Sequence, residues 1–110
     1  LHTNYPPYDI LKTDEHSYVI ELAVAGFSKK DIEVTVENGV LTVESDHKGN
    51  AESSGQEIIH RGISKRYFKK SFSISDDVEI RGAELKDGLL RISMEKIIPE
   101  SRKRKEISIK

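Results

Sequence analysis

The 110-residue chain has no cysteine and no tryptophan, one methionine and three prolines. Without cysteine there is no disulfide framework, no thiolate zinc site and no cysteine nucleophile. Long apolar runs are also missing. The longest, Leu22 to Ala25, is far short of the ~20 residues that carry a helix across a bilayer, so no membrane span is expected. An excess of one charge is lacking too: 18 basic residues meet 19 acidic ones, for a formal net charge of −1. Aromatics are few, four tyrosines and three phenylalanines, and none is interleaved with the basic run Arg102-Lys103-Arg104-Lys105. That run reads as a solvated tether rather than a nucleic-acid contact. No leader of basic, apolar and small residues opens the chain, so a cytoplasmic location is expected. Because it starts at Leu1 rather than methionine, the chain is expected to be a piece of a longer one.

The length fits one domain. Apolar residues make up 35% of the chain and charged residues 34%, so the core has to be thin and its members well placed. Seven valines, thirteen isoleucines and four threonines stand against four alanines, and β-branched side chains favour strands. In Tyr18–Val24 the larger apolar groups alternate. Ile32, Val34 and Val36 alternate with Glu33, Thr35 and Glu37, the mark of a half-buried strand. Asn38-Gly39 then signals a two-residue hairpin turn into Val40–Glu44. A second hairpin runs from Ala83–Lys86 through Asp87-Gly88 into Leu89–Met94. Between the hairpins Phe68, Phe72 and Ile74 share one face. No longer window has a 3.6-residue period, which predicts an all-β domain of about seven to nine short antiparallel strands. The architecture expected is an immunoglobulin-like two-sheet β-sandwich.

Two segments sit outside that plan. Asp46 to Lys65 is long for a loop and polar, except for the adjacent pair Ile58-Ile59. It is either a surface loop or an arm that carries the two isoleucines to another chain. Pro99 ends the last strand, and a polar tether leads to Ile107-Ser108-Ile109. On extended backbone the two isoleucines point the same way, as a frayed end or as a plug for a groove. The domain is therefore expected over 1–98 and a flexible C-terminal extension over 99–110. Lys70 lies between Phe68 and Phe72 on the apolar face of its strand. Either it snorkels to water or it meets a carboxylate at an interface. Charge is segregated along the chain: Arg61, Lys65, Arg66, Lys69 and Lys70 cluster, whereas Lys29 to Glu57 is mainly acidic.

The chemistry of catalysis is absent from this pattern. His2, His16, His47 and His60 lack ligand spacing, Asp76-Asp77 reads as a turn, and no serine has a histidine-plus-acid setting. Neither an enzyme nor a metal or other cofactor is expected.

Ala83-Glu84-Leu85-Lys86-Asp87-Gly88-Leu89-Leu90 resembles the A-x-x-x-n-G-[VL]-L signature of the alpha-crystallin domain, which defines the small heat-shock proteins. Ile107-Ser108-Ile109 resembles their C-terminal I-x-I motif. Ala23–Phe27 with Lys30-Asp31-Ile32 resembles a turn between two of the domain's strands. His60-Arg61-Gly62-Ile63 and Ile98-Pro99-Glu100 are most similar to the bacterial inclusion-body-binding subgroup. The resemblance covers about Tyr8 to the end.

It implies an ATP-independent holdase chaperone that binds unfolding client proteins and hands them to ATP-driven refolding chaperones. It further implies a homodimer in which a strand around Ile58-Ile59 pairs with Tyr8–Leu11 (Ile10 among them) of the other subunit. Higher homo-oligomers follow when Ile107 and Ile109 dock in a groove with Ile32 and Val34 on one side and Ile80 on the other. Lys70 takes the position of the family's interface arginine, without the planar fork that pairs two carboxylate oxygens. Ser75 stands where a proline often ends that strand. The alternative is a CS-domain-type co-chaperone adaptor, monomeric and bound to a folded chaperone. A carbohydrate-binding β-module is disfavoured by the scarcity of aromatics.

Overall fold

The computed structural model describes residues 5–45, 57–60, 62, 67–97 and 104–110. Seven strands occur among them: β1 (Tyr8–Lys12), β2 (Ser17–Ala23), β3 (Ile32–Glu37), β4 (Val40–Ser45), β5 (Lys69–Ser73), β6 (Val78–Lys86) and β7 (Leu89–Lys96). They form two antiparallel sheets, one ordered β1-β2-β7-β6 and the other β3-β4-β5. A single 3₁₀ turn, Lys29–Asp31, precedes β3. It is held by the Asp31 carboxylate, which accepts hydrogen bonds from the Ser28 N–H and hydroxyl, both at 2.9 Å. The expected two-sheet sandwich is the fold observed.

Both tight hairpins form where the dipeptides predict. Asn38 and Gly39 have φ of 53° and 77°, and Asp87 and Gly88 have 54° and 80°. Two successive positive-φ residues give a turn whose twist matches that of the flanking strands, and Asn, Asp and Gly tolerate the conformation best. The β3–β4 register then sets Val34 opposite Val43 and Val36 opposite Leu41.

The core lies between the sheets. Ile20 and Leu22 of β2, Leu90, Ile92 and Met94 of β7, and Leu41 and Val43 of β4 are buried together with Val24, Phe27 and Phe68. Phe68 anchors the layer by standing edge-on to Phe27, with ring centroids 5.5 Å apart. Central strands β2, β7 and β4 supply most of this core, because only they have neighbours on both sides.

A β-bulge interrupts β6. Ile80 is opposite Met94 and Gly82 is opposite Ser93, so Arg81 is one residue too many. The inward-facing series 78, 80 therefore resumes at 83 and 85 instead of 82 and 84. Glu79 and Glu95 face each other across the same strands. The displaced Arg81 guanidinium bridges them, 2.8 Å from Glu79 and 2.6 Å from Glu95.

Ser45 is the one buried polar residue among those described. Its hydroxyl accepts the Phe68 N–H at 2.9 Å, and its own N–H donates to the Phe68 carbonyl at 3.0 Å. The long segment between β4 and β5 thus leaves and returns at a pinned point. Ser45→Ala orphans a buried N–H and is expected to cost about 1–3 kcal/mol. The check is urea unfolding, in which the midpoint falls while the m-value stays the same.

Candidate functional site

A four-strand sheet over a three-strand sheet leaves both sides of the sandwich open, each between two edge strands. On one side β3 faces β6. Ile32 and Val34 line a groove of about 310 Å³ with Ala83, Leu85 and Leu90. Lys29 and Glu84 complete its lining. Ile32 and Val34 are thus side by side, as alternation along β3 requires. Ile80 is half-buried against the core and is not among the groove's walls. The bulge at Arg81 separates it from Ala83 and Leu85, which hold that side instead. The sequence places Ala83 and Leu85 in a hairpin and in the signature motif, but not on the groove. Nothing local in the sequence says which strand lies across from them.

On the other side β1 faces β5. Ile10, Ile20, Phe72, Ile74, Val78 and Met94 line a cleft of about 460 Å³. Tyr8 stands edge-on to Phe72, one of the cleft's walls, with centroids 5.1 Å apart. The Lys70 ammonium lies 4.9 Å from the centre of the same Tyr8 ring. Lys70 therefore has its stem among apolar groups and its charge on an aromatic face, a cation–π contact favoured where water is partly excluded. No ion pair of Lys70 with a carboxylate occurs among the described residues. The structure brings Tyr8, Ile10 and Lys70 to one edge of the molecule.

The remaining predicted residues stand apart from the core. Glu57–His60 belongs to no strand of its own chain, with Ile58 50% and Ile59 89% exposed. Arg104–Lys110 has no regular structure, and Ile107 and Ile109 are 81% and 96% exposed. Arg61, Lys65 and Arg66 of the basic cluster, and Arg102 and Lys103 of the tether, lie outside the described residues. Among the described residues no group of three histidine or acidic side chains is placed to hold a metal ion. No described helix is long and apolar enough to cross a membrane.

The profile of the Hsp20/alpha crystallin family matches residues 10–110. The chain belongs to this family. It is 40% identical over 106 residues to the small heat shock protein IbpA of Serratia proteamaculans, an alignment spanning 96% of this chain and 76% of the relative. With the 16 kDa heat shock protein B of Azotobacter vinelandii it shares 45% identity over 98 residues, covering 89% of this chain and 66% of that protein. Among solved structures, a small heat shock protein from Synechococcus phage S-ShM2 superposes with a TM-score of 0.75. The two are 42% identical, over 96% of this chain and 99% of that one. The C-terminally truncated small heat shock protein AgsA from Salmonella typhimurium gives 0.75 at 33% identity, over 94% and 98% of the two chains. This small heat-shock protein thus sits in an IbpA-like bacterial group, as its motifs suggested, within a family of chaperones rather than enzymes. The groove between β3 and β6 is bordered by the alpha-crystallin signature itself, because Ala83, Leu85 and Leu90 all fall within it.

Proposed function

We propose that this small heat-shock protein is an ATP-independent holdase that works as an exchanging oligomer of dimers. One observation carries the reading. Ile107 and Ile109 are almost fully in water while an apolar groove of matching character stands open on the same chain. Two isoleucines two apart on extended backbone present one apolar face, and the groove offers Ile32 and Val34 against Ala83 and Leu85. The tail, residues 99–110, then links one domain, residues 1–98, to the groove of another. A small heat-shock protein from Xylella fastidiosa, 27% identical, is described as having a distinct high order structure, in keeping with assembly beyond the dimer.

Burying both isoleucines yields roughly 3–6 kcal/mol gross. Ordering the tail costs ~1–2 kcal/mol for each residue fixed. One tail binds weakly, whereas many tails on one assembly rebind through high effective concentration. Such an assembly is large yet exchanges subunits. Tyr8, Ile10, Ile58, Ile59 and Lys70 make the dimer contact in this reading, with the arm around Ile58-Ile59 adding a strand to β1 of the partner. On heating, apolar grooves and strand edges open and capture unfolding clients before they aggregate. ATP-driven refolding chaperones of the cytoplasm then release them.

Light scattering tests this on the full chain and on a version ending at Glu106. The full chain is expected to form an assembly several-fold heavier than a dimer and to protect a heat-unfolding client from aggregation. The shortened chain is expected to run as dimers. Monomers in both cases would overturn the reading and favour the CS-domain-type adaptor.

A further inference from the structure

The apolar groove between β3 and β6 does not end at Ile32. The same side chain is one wall of a second pocket of about 550 Å³, lined also by Lys30, Glu33, Glu44, Ser45 and Tyr67. Resting on the tail docking proposed above, we infer that each tail lies parallel to β3, with Arg104 and Lys105 of one copy seated against Glu33 and Glu44 of another.

The groove takes residues 32 and 34 of β3, and the pocket takes residues 30–33. The pocket therefore opens where β3 begins, in line with the groove. Glu33 and Glu44 are directly opposite each other, and like charges so placed destabilise a sheet. Lys69 of β5 stands across from Glu44, yet among the described residues neither carboxylate joins an ion pair. Asp31, a third acid of the pocket, is already engaged by Ser28. Because β3 is the edge of its sheet, no described strand lies beyond Glu33 to bring it a cation. That open side is the one along which a docked tail runs.

The tail is asymmetric about its two isoleucines. Arg104, Lys105 and Glu106 precede them, and Lys110 follows. Parallel to β3, Ile107 lies beside Ile32 and Ile109 beside Val34, and the residues before Ile107 run on past Ile32 into the pocket. Two bases then reach the facing carboxylates. Lys29 and Lys30 edge the same end and suit the one acid of this stretch, Glu106. Antiparallel to β3, Lys110 alone reaches that end and meets the two lysines. Arg104 and Lys105 would instead lie over Val36, where β3 offers one carboxylate, Glu37, opposite Val40. Charge therefore selects the parallel direction, although the two isoleucines fit either way.

Cysteine is absent from the chain, so introduced thiols react alone. Full-length Lys30→Cys and affinity-tagged Glu106→Cys chains are unfolded, mixed, refolded together and treated with a short bismaleimide. A covalent heterodimer is expected from this pair, and much less from Val36→Cys with Glu106→Cys, which reads the opposite direction. Glu33→Lys in the full chain is expected to weaken each tail about three- to fivefold, so that on dilution the assembly falls to dimers at a higher concentration. Adding Lys105→Glu is expected to restore it, and Glu37→Lys to change little. In the chain ending at Glu106, Glu33→Lys relieves the like-charge pair, so the thermal midpoint is not expected to fall. Three results would overturn the assignment while tails still dock. These are cross-linking through position 36 rather than 30, equal weakening by Glu37→Lys, or earlier unfolding of the shortened Glu33→Lys chain, which would give the carboxylate to its own fold. A full chain no heavier than the one ending at Glu106 would instead remove tail docking itself.

Discussion

Ala83→Glu is expected to reduce the assembly to dimers without unfolding them. Ala83 is exposed and lines the β3–β6 groove, so a longer side chain there projects into the groove instead of the core. Two effects act together. In the proposed docking, the side chain occupies space that an isoleucine of the tail would need, and its carboxylate would lose water under the tail. Tail docking is a narrow balance, ~3–6 kcal/mol of burial against an ordering cost of similar size. Desolvating even part of a charge is enough to tip it. Every 1.4 kcal/mol lost is about tenfold in tail affinity, and an assembly held by many tails loses that factor at each one. Thermal unfolding of the resulting dimers is expected to stay close to that of the tail-shortened chain, since exposed substitutions usually change stability by less than ~0.5 kcal/mol. Combining Ala83→Glu with Ile107→Ala and Ile109→Ala is expected to add nothing further, because both changes break one contact. Light scattering on the single variant decides the matter: an unchanged mass would place the tails somewhere other than this groove.

Sequence reading reached the parts of this molecule that depend on near neighbours. The β3–β4 hairpin followed from alternation around Asn38-Gly39, and the end of β6 with β7 from Asp87-Gly88. The first half of β6 did not, because the bulge at Arg81 breaks the period of two by which a strand is placed. The same extra residue explains Ile80, which the sequence places on the groove and the structure sets against the core on the far side of the bulge. β1 carried no pattern either: Tyr8-Asp9-Ile10-Leu11-Lys12 is exposed along its whole length in the single chain. Ile32 and Val34 were legible as one face of one strand. Their neighbours across the groove were not, since pairing β3 with β6 across the sandwich is set by the packing of distant elements. Lys70 shows the limit most plainly. Its apolar surroundings were visible in the sequence, but its partner, the Tyr8 ring, lies 62 positions away and in the other sheet.

Leu22→Ala is expected to be the most destabilising of the substitutions considered, and it separates folding from assembly. Leu22 is fully buried in β2, an inner strand of the four-strand sheet, with Tyr8 of β1 opposite it on one side and Leu90 of β7 on the other. Truncation there removes three heavy atoms and leaves a cavity that paired strands close only in part, at a cost of about 2–5 kcal/mol. Small domains have only ~5–15 kcal/mol in total. At ~4–8 °C per kcal/mol for a domain of this size, the midpoint should fall by roughly 8–40 °C. Because partner binding stabilises the folded form, part of that loss should return as protein concentration rises. Ile10→Ala is the counterpart: it is more than half exposed on an edge strand, so it should leave the unfolding of the single domain nearly unchanged and weaken only the dimer. A midpoint loss of a few degrees for Leu22→Ala would mean that the layer between β2, β7 and β4 is not the core that holds the domain. If the drop is large and Ile10→Ala is silent in the monomer, the central strands carry the fold while the edge strands are left free to bind other chains. In the proposed holdase, that division would let the edge strands be exposed on heating while the domain stays folded.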